Sequence, residues 1–239
     1  MVKKTRDRIR VLDESNNFGN KENKRGKSKD EREEQEDSYW EEEGIVEAKE
    51  KIEYFLGLDI STAITGFSII DSNKKIILMG HISLQDMDPE DLFEKTDVTV
   101  DAIISNIPAE IKISKVFVEA PAKVFKAGFS TADVIITLAK MNALVSYVVH
   151  KKMGVPVISV NVSRARSAIG YKINKKDKRP EKEKVREFVL ANFKEIKCET
   201  RVLSKGINKG KVVPVDGAAD EIDSFVICLG GFNSTSRML

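Results

Sequence analysis

The stretch Tyr54–Asp71, YFLGLDISTAITGFSIID, constrains the fold most. Tyr54, Phe55, Leu56 and Leu58 form a short apolar run around Gly57 that ends on Asp59, and Phe67, Ile69 and Ile70 begin a second run after a turn. This pattern predicts a β-hairpin. An ionised Asp closing an apolar strand is costly to bury unless a cation or hydrogen-bond donors meet it, which points to a metal. The small residues Ser61, Thr62, Ala63, Thr65 and Gly66 leave room for a metal or a phosphate to approach. The plain alternative is an Asp that caps its own turn.

With 239 residues and 41% hydrophobic content, the chain can bury a sizeable core. One folded domain, 51–239, is expected behind a charged tail, 1–50. Met1–Glu50 holds 12 Lys/Arg against 15 Asp/Glu with almost no apolar periodicity, so it is expected to be disordered. Tyr39 and Trp40 are its exceptional aromatic pair. No apolar run approaches the roughly 18 residues of a membrane span, and the N-terminus is too charged for a secretory signal. A soluble intracellular protein without membrane contact is expected. Two cysteines and two histidines supply neither a disulfide framework nor a Cys/His zinc site, which leaves oxygen ligands for any metal. The block Arg164–Lys211 holds 16 Lys/Arg against 6 Asp/Glu, either a polyanion-binding surface or a solvated face.

Further elements follow in order: a strand over Lys75–Leu84, a helix over Pro89–Ile107, and a strand over Lys115–Glu119 that delivers Glu119 at its end. A long helix capped by Ser130 or Thr131 runs to about Met153. Then come a strand at Val155–Val160, a short helix at Ser163–Ile169, a lysine-rich loop at Lys172–Arg179 and a helix at Glu181–Phe193. Strands alternating with helices after an antiparallel opening predict an α/β fold, a mixed sheet covered by helices on both faces. The helix Ala218–Leu229 places Asp220 and Asp223 one turn apart on one face. Like charges so placed repel. The pairing points to a divalent ion between them and the strand-end acids.

The ordered pieces LGLDISTAITGFSII, VFVEAPAKVFKAG, VISVNVSRARSAIG, EKEKVREFVL and AADEIDSFVI resemble the RuvC family of Holliday-junction resolvases, within the RNase H-like nucleases, across Glu53–Gly231. The resemblance implies an RNase H-like fold and a metal-dependent endonuclease that resolves four-way DNA junctions. It implies catalytic and metal-ligating roles for Asp59, Glu119, Asp220 and Asp223, with Lys182 contacting the scissile region. Arg164 or Arg166 replaces a further basic contact. Two places depart from the family: Ile60-Ser61 stands for Pro-Gly, and Lys194–Val215 is longer than the family needs. Asp216 leaves a register question, whether Asp220 pairs with Asp223 or with Asp216.

The implied chemistry uses two Mg²⁺ ions about 3.5–4 Å apart, with Mn²⁺ as a substitute, to activate water and stabilise phosphate charge. Branched DNA is the implied partner. Its contacts are expected at Lys123, Lys126, Arg164, Arg166, Lys172, Lys175, Lys176, Lys178 and Arg179, and Phe125 and Phe129 serve either as stacking surfaces or as core. Symmetric junction cleavage implies a homodimer, with Thr131–Met153 at its interface. Two other readings stand beside this one. One is an RNase H-like nuclease acting on another branched DNA or on RNA; the other is an actin- or sugar-kinase-like ATP-binding domain, suggested by Asp59–Gly66 and Gly230-Gly231.

Overall fold

A computed structural model describes residues 52–121 and 132–236, together with the backbone of a strand at 7–11. Six strands form one sheet: β1 (Asp7–Val11), β2 (Tyr54–Asp59), β3 (Ile64–Asp71), β4 (Ile76–Ser83), β5 (Ile113–Glu119) and β6 (Val157–Val160). Their order is β1-β4-β3-β2-β5-β6. The β1–β4, β4–β3 and β3–β2 pairs are antiparallel, whereas β2–β5 and β5–β6 are parallel. The fold is therefore the expected α/β mixed sheet.

Strand alternation sorts the core into two layers. Leu56 and Leu58 of β2, with Val116 and Val118 of β5, face α1 (Leu92–Asn106) and α2 (Ala132–Met153), meeting Val100, Ile103, Met141 and Val145. Phe55 and Phe117 point the other way, toward α3 (Val162–Ala168), α4 (Glu181–Asn192) and α5 (Ala218–Thr235). This parity decides where the strand-end acids go. Asp59 shares a face with Phe55 and Gly57, and Glu119 shares one with Phe117, so both carboxylates stand on the α5 side. Leu58 pairs with Val118 in the parallel ladder, so the acids that follow them end adjacent strands side by side.

Glycines let α5 lie against this face. A β-carbon on Gly57 would collide with Ser224 and Cys228, and one on Gly231 with Phe117. Any larger residue there would push α5 and its two acids away from the strand ends.

Three sequence expectations need amendment. The strand Asp7–Val11 lies inside the tail expected to be disordered; the exposed edge of β4 supplies its backbone partners, and Ile9 and Val11 alternate with Arg8 and Arg10 at strand period. The rest of that tail, Tyr39 and Trp40 included, lies outside the described residues. The segment Lys194–Val215, noted as longer than the family needs, holds a separate hairpin, β7 (Thr200–Val202) and β8 (Val212–Pro214). And α2, with 22 residues, is by length and composition long and apolar enough to cross a membrane, where the sequence reading found no such run. Its Met141, Val145 and Val149 are buried in the core against β2, β5 and α1, while Val134, Ile136, Leu138 and Tyr147 are exposed.

Candidate active site

Asp59 closes β2 and is only 8% exposed. The turn after it is pinned from several sides. The Ser61 hydroxyl donates to the Ile64 carbonyl and accepts from the Ala63 and Ile64 amides. The buried Lys95 ammonium of α1 donates to the Thr62 carbonyl at 2.9 Å. Glu119 closes β5, and its carbonyl accepts from the Asn142 side-chain amide of α2, also at 2.9 Å. The turn's own Ser61 and residues of two helices thus hold the two strand ends in place.

The helix α5 starts at Gly217, whose φ of 86° lies in the left-handed region that favours glycine. A β-carbon there would also strike the His81 ring. His81 in turn holds the first turn of α5: its Nδ1 lies 2.7 Å from Glu221 Oε1, and both side chains are buried. Asp220, next to Glu221, turns toward the strand-end acids, and Asp223 follows one turn later. Lys182 enters from the first turn of α4, where the helix dipole disfavours a cation. Asp223 compensates it, with Nζ 2.8 Å from Oδ2.

The surroundings of Asp59, Glu119 and Asp220 oppose their ionisation. Burial drives the Asp59 carboxyl well above the usual carboxylate range, and the charges of Asp223, Glu119 and Asp220 add to the rise, while Lys182 opposes it. Burial likewise raises Glu119, against the pull of Lys182, a hydrogen bond with Asp59, and Arg166. Asp220 is raised by burial and by Asp223. Partial desolvation works against the Lys182 ammonium, but Asp223 and Asp59 outweigh it and hold it above its ordinary value. Neighbouring carboxyls such as Asp59 and Glu119 each make ionisation of the other more costly when no cation separates them. A divalent ion offsets that cost.

The carboxylates offer oxygen donors only, the ligand type that hard cations take, from β2, β5 and α5, at the edge of a cleft of about 270 Å³ whose lining includes Asp59, Glu119, Lys182, Asp220 and Asn142. Among the described residues no three Asp, Glu, His or Cys side chains already close around a single point.

The fold therefore gathers Asp59, Glu119, Asp220, Asp223 and Lys182. Asp216 stands apart, ahead of α5, exposed and paired with Arg201 at 2.9 Å. Arg166 is half-buried with its Nε enclosed and unpartnered among the described residues, near enough to Glu119 to oppose its rise; Arg164 is exposed. In the basic loop Lys172, Lys175, Lys176 and Lys178 are exposed, but Arg179 is held by Asp177 at 2.8 Å and by Glu187. Lys123, Lys126, Phe125 and Phe129 lie outside the described residues.

The sequence reading missed the His81–Glu221 pair and the part played by Gly66, which it read as room for a ligand. Gly66 makes room for α5: the Asp220 carbonyl fills the space where its β-carbon would be. Neither feature leaves a signal in a linear pattern, since the partners lie about 140 and 150 residues apart.

No protein-family model and no curated protein matches the chain. Among solved structures it is similar to the RuvC of T. thermophilus in complex with a Holliday junction substrate, at 16% identity and TM-score 0.49 over 78% of this chain and 96% of that one. It is also similar to the yeast mitochondrial Holliday junction resolvase Ydc2, at 13% identity and TM-score 0.47 over 77% and 79%. A ROK family glucokinase from Streptomyces griseus gives 16% identity and TM-score 0.33 over 52% and 38%. Likenesses this distant assign no activity, and the function is read from the chemistry of the site.

Proposed function

We propose that this protein is a metal-dependent, structure-selective endonuclease that hydrolyses phosphodiester bonds in branched DNA, with the four-way junction as its substrate. The observation that carries this reading is the convergence of Asp59, Glu119, Asp220 and Asp223 around Lys182, with Asp59, Glu119 and Asp220 destabilised as anions by burial. A buried acid cluster of this kind is made for cations. Asp59, Glu119 and Asp223 are the metal ligands in this reading, and Asp220 is a ligand or the base for the attacking water. When bound, Mg²⁺ supplies an activated water and neutralises charge on the scissile phosphate. Mn²⁺ would substitute.

The chain's own residues prepare that chemistry. Asp59 and Glu119 must both be ionised before both can ligate. The Lys182 ammonium, 65% exposed at the side chain, is placed to move from Asp223 to a phosphate oxygen. Lys172, Lys175, Lys176 and Lys178 offer phosphate contacts beside α4, and Arg164 and Arg166 extend the cationic surface. Cutting a four-way junction symmetrically needs two sites, hence a homodimer. Exposed Val134, Ile136 and Tyr147 on α2 support that helix as the interface.

Cleavage of matched, labelled four-way, flapped and linear substrates in Mg²⁺ tests the reading. Paired symmetric nicks in the four-way substrate are expected. Equal cutting of all three would remove the structure selectivity, and preference for a flapped DNA or an RNA would move the substrate. No cutting at all would remove the nuclease.

A further inference from the structure

The hairpin β7–β8 takes no part in the acid cluster, yet its composition is extreme. Thr200–Pro214 carries Arg201, Lys205, Lys209 and Lys211 and no Asp or Glu. Its two strands pair with each other and with no strand of the main sheet. A two-stranded hairpin of three-residue strands is marginal in water, so little in the domain itself requires it.

Three of its apolar residues are exposed, while Leu203, Val213 and Pro214 are half-buried. Val202 and Val212 are register partners, 64% and 60% exposed, and Ile207 at the tip is wholly exposed. Gly206 and Gly210 take φ values of 79° and 86°, bending the tip so that Ile207 sits between Lys205 and Lys209. An isolated molecule gains nothing from showing water three β-branched side chains flanked by cations. The root is firm by contrast: the Val215 amide donates to the Glu199 carbonyl at 2.9 Å, and Arg201 pairs with Asp216. Three residues after that amide the chain enters α5, so the hairpin leaves the body at the end of α5 that carries Asp220.

We propose that β7–β8 is a nucleic-acid arm. Lys205, Lys209 and Lys211 hold phosphates, and Ile207 wedges against an unstacked base step of a branched substrate. Charge complementarity selects a polyanion. Apolar wedges flanked by cations are also a known way of gripping distorted duplexes, in which the cost of unstacking is offset by the larger surface that the distorted duplex presents. The inference rests on the nuclease reading and adds a second binding region to it.

Binding of the full chain to a labelled four-way junction and to a linear duplex, across a salt series in metal-free buffer, tests the arm. A variant with Lys205→Ala, Lys209→Ala and Lys211→Ala is expected to flatten the log–log salt slope by about 2–3, roughly 0.9 for each phosphate that is no longer neutralised. Ile207→Ser removes no charge. It should keep the slope and weaken junction binding by on the order of tenfold, leaving the duplex unchanged, because only a distorted step accepts a wedge. All four positions are exposed, so both variants should melt with the parent. An unchanged slope in the lysine variant overturns the arm, and parental junction binding by Ile207→Ser overturns the wedge. If these variants bind like a parent that cuts normally, the arm alone is lost; if the parent neither binds nor cuts nucleic acid, the nuclease reading falls with it.

Discussion

The backbone carbonyl of Asp220 fills the space where a side chain on Gly66 would be, and Gly66 is the residue paired with Asp59 across β2 and β3. One absent methyl group therefore sets how closely the acids of α5 approach the acid of the first strand. Backbone meets backbone at this point, so neither partner can turn aside.

Gly66→Ala should accordingly damage the site as well as the fold. Overpacking of this kind costs typically about 1–3 kcal/mol, and at about 2–4 °C per kcal/mol for a domain of this size the melting temperature should fall by several degrees. Metal-dependent cleavage, measured well below the melting temperature, should fall further than the lost folded fraction explains. Gly154→Ala is the comparison, since its φ of 68° lies in the left-handed region that strains an alanine but nothing stands near it. That variant should lose stability alone.

The acid cluster predicts an unusual pH dependence for the metal-free protein. Asp59, Glu119 and Asp220 have folded-state values raised above the unfolded ones, by burial first and then by their neighbours. A raised carboxyl favours the folded state fully below its unfolded value, near 4, and that favour is lost as pH climbs through the raised value. Thermal stability in a chelator should therefore decline as pH rises above the ordinary carboxylate range. Mg²⁺ should restore it, and by more at higher pH, because the protons it displaces are already gone. Asp59→Asn should flatten both effects. A parent whose melting temperature is indifferent to Mg²⁺ at every pH would argue against a cation site.

The His81–Glu221 pair is a positioning contact beneath Asp220. Removing one partner leaves the other buried without its hydrogen bond, a loss of about 1–3 kcal/mol. His81→Leu and Glu221→Met should each destabilise by roughly that amount in urea unfolding, while the double variant, an apolar pair, should lose less than the sum of the two. His81→Gln keeps a donor and should recover part of the cleavage rate as well as part of the stability.

Reading the chain as a sequence goes far where the pattern is local. Asp59 and Glu119 are legible because each ends a short apolar run, and Asp223 because three-residue spacing defines a helical face. The chain order of those pieces carries the mixed sheet with them. The strand at Asp7–Val11 is hidden because charged neighbours mask the Ile9 and Val11 alternation, and β7–β8 because three-residue strands show no period. Arg179 reads as one more free cation until Asp177 and Glu187 close on it. Gly66 and His81 act through partners on α5, and only the folded chain brings those partners to them.

The most direct measurement compares cleavage with binding in Asp59→Asn, Glu119→Gln, Asp220→Asn and Asp223→Asn, with Asp216→Asn as the control. Each amide keeps the side-chain size and removes one negative charge from the cluster. Cleavage of a four-way junction in Mg²⁺ should fall by orders of magnitude in the first four and remain parental in Asp216→Asn, whose side chain pairs with Arg201 outside the site. In metal-free buffer, Asp59→Asn and Glu119→Gln should bind the junction at least as tightly as the parent, since a neutral amide adds no repulsion of the phosphates. Loss of cleavage in Asp216→Asn with full activity in Asp223→Asn would contradict the geometry of α5, and parental cleavage by all five would contradict the nuclease itself.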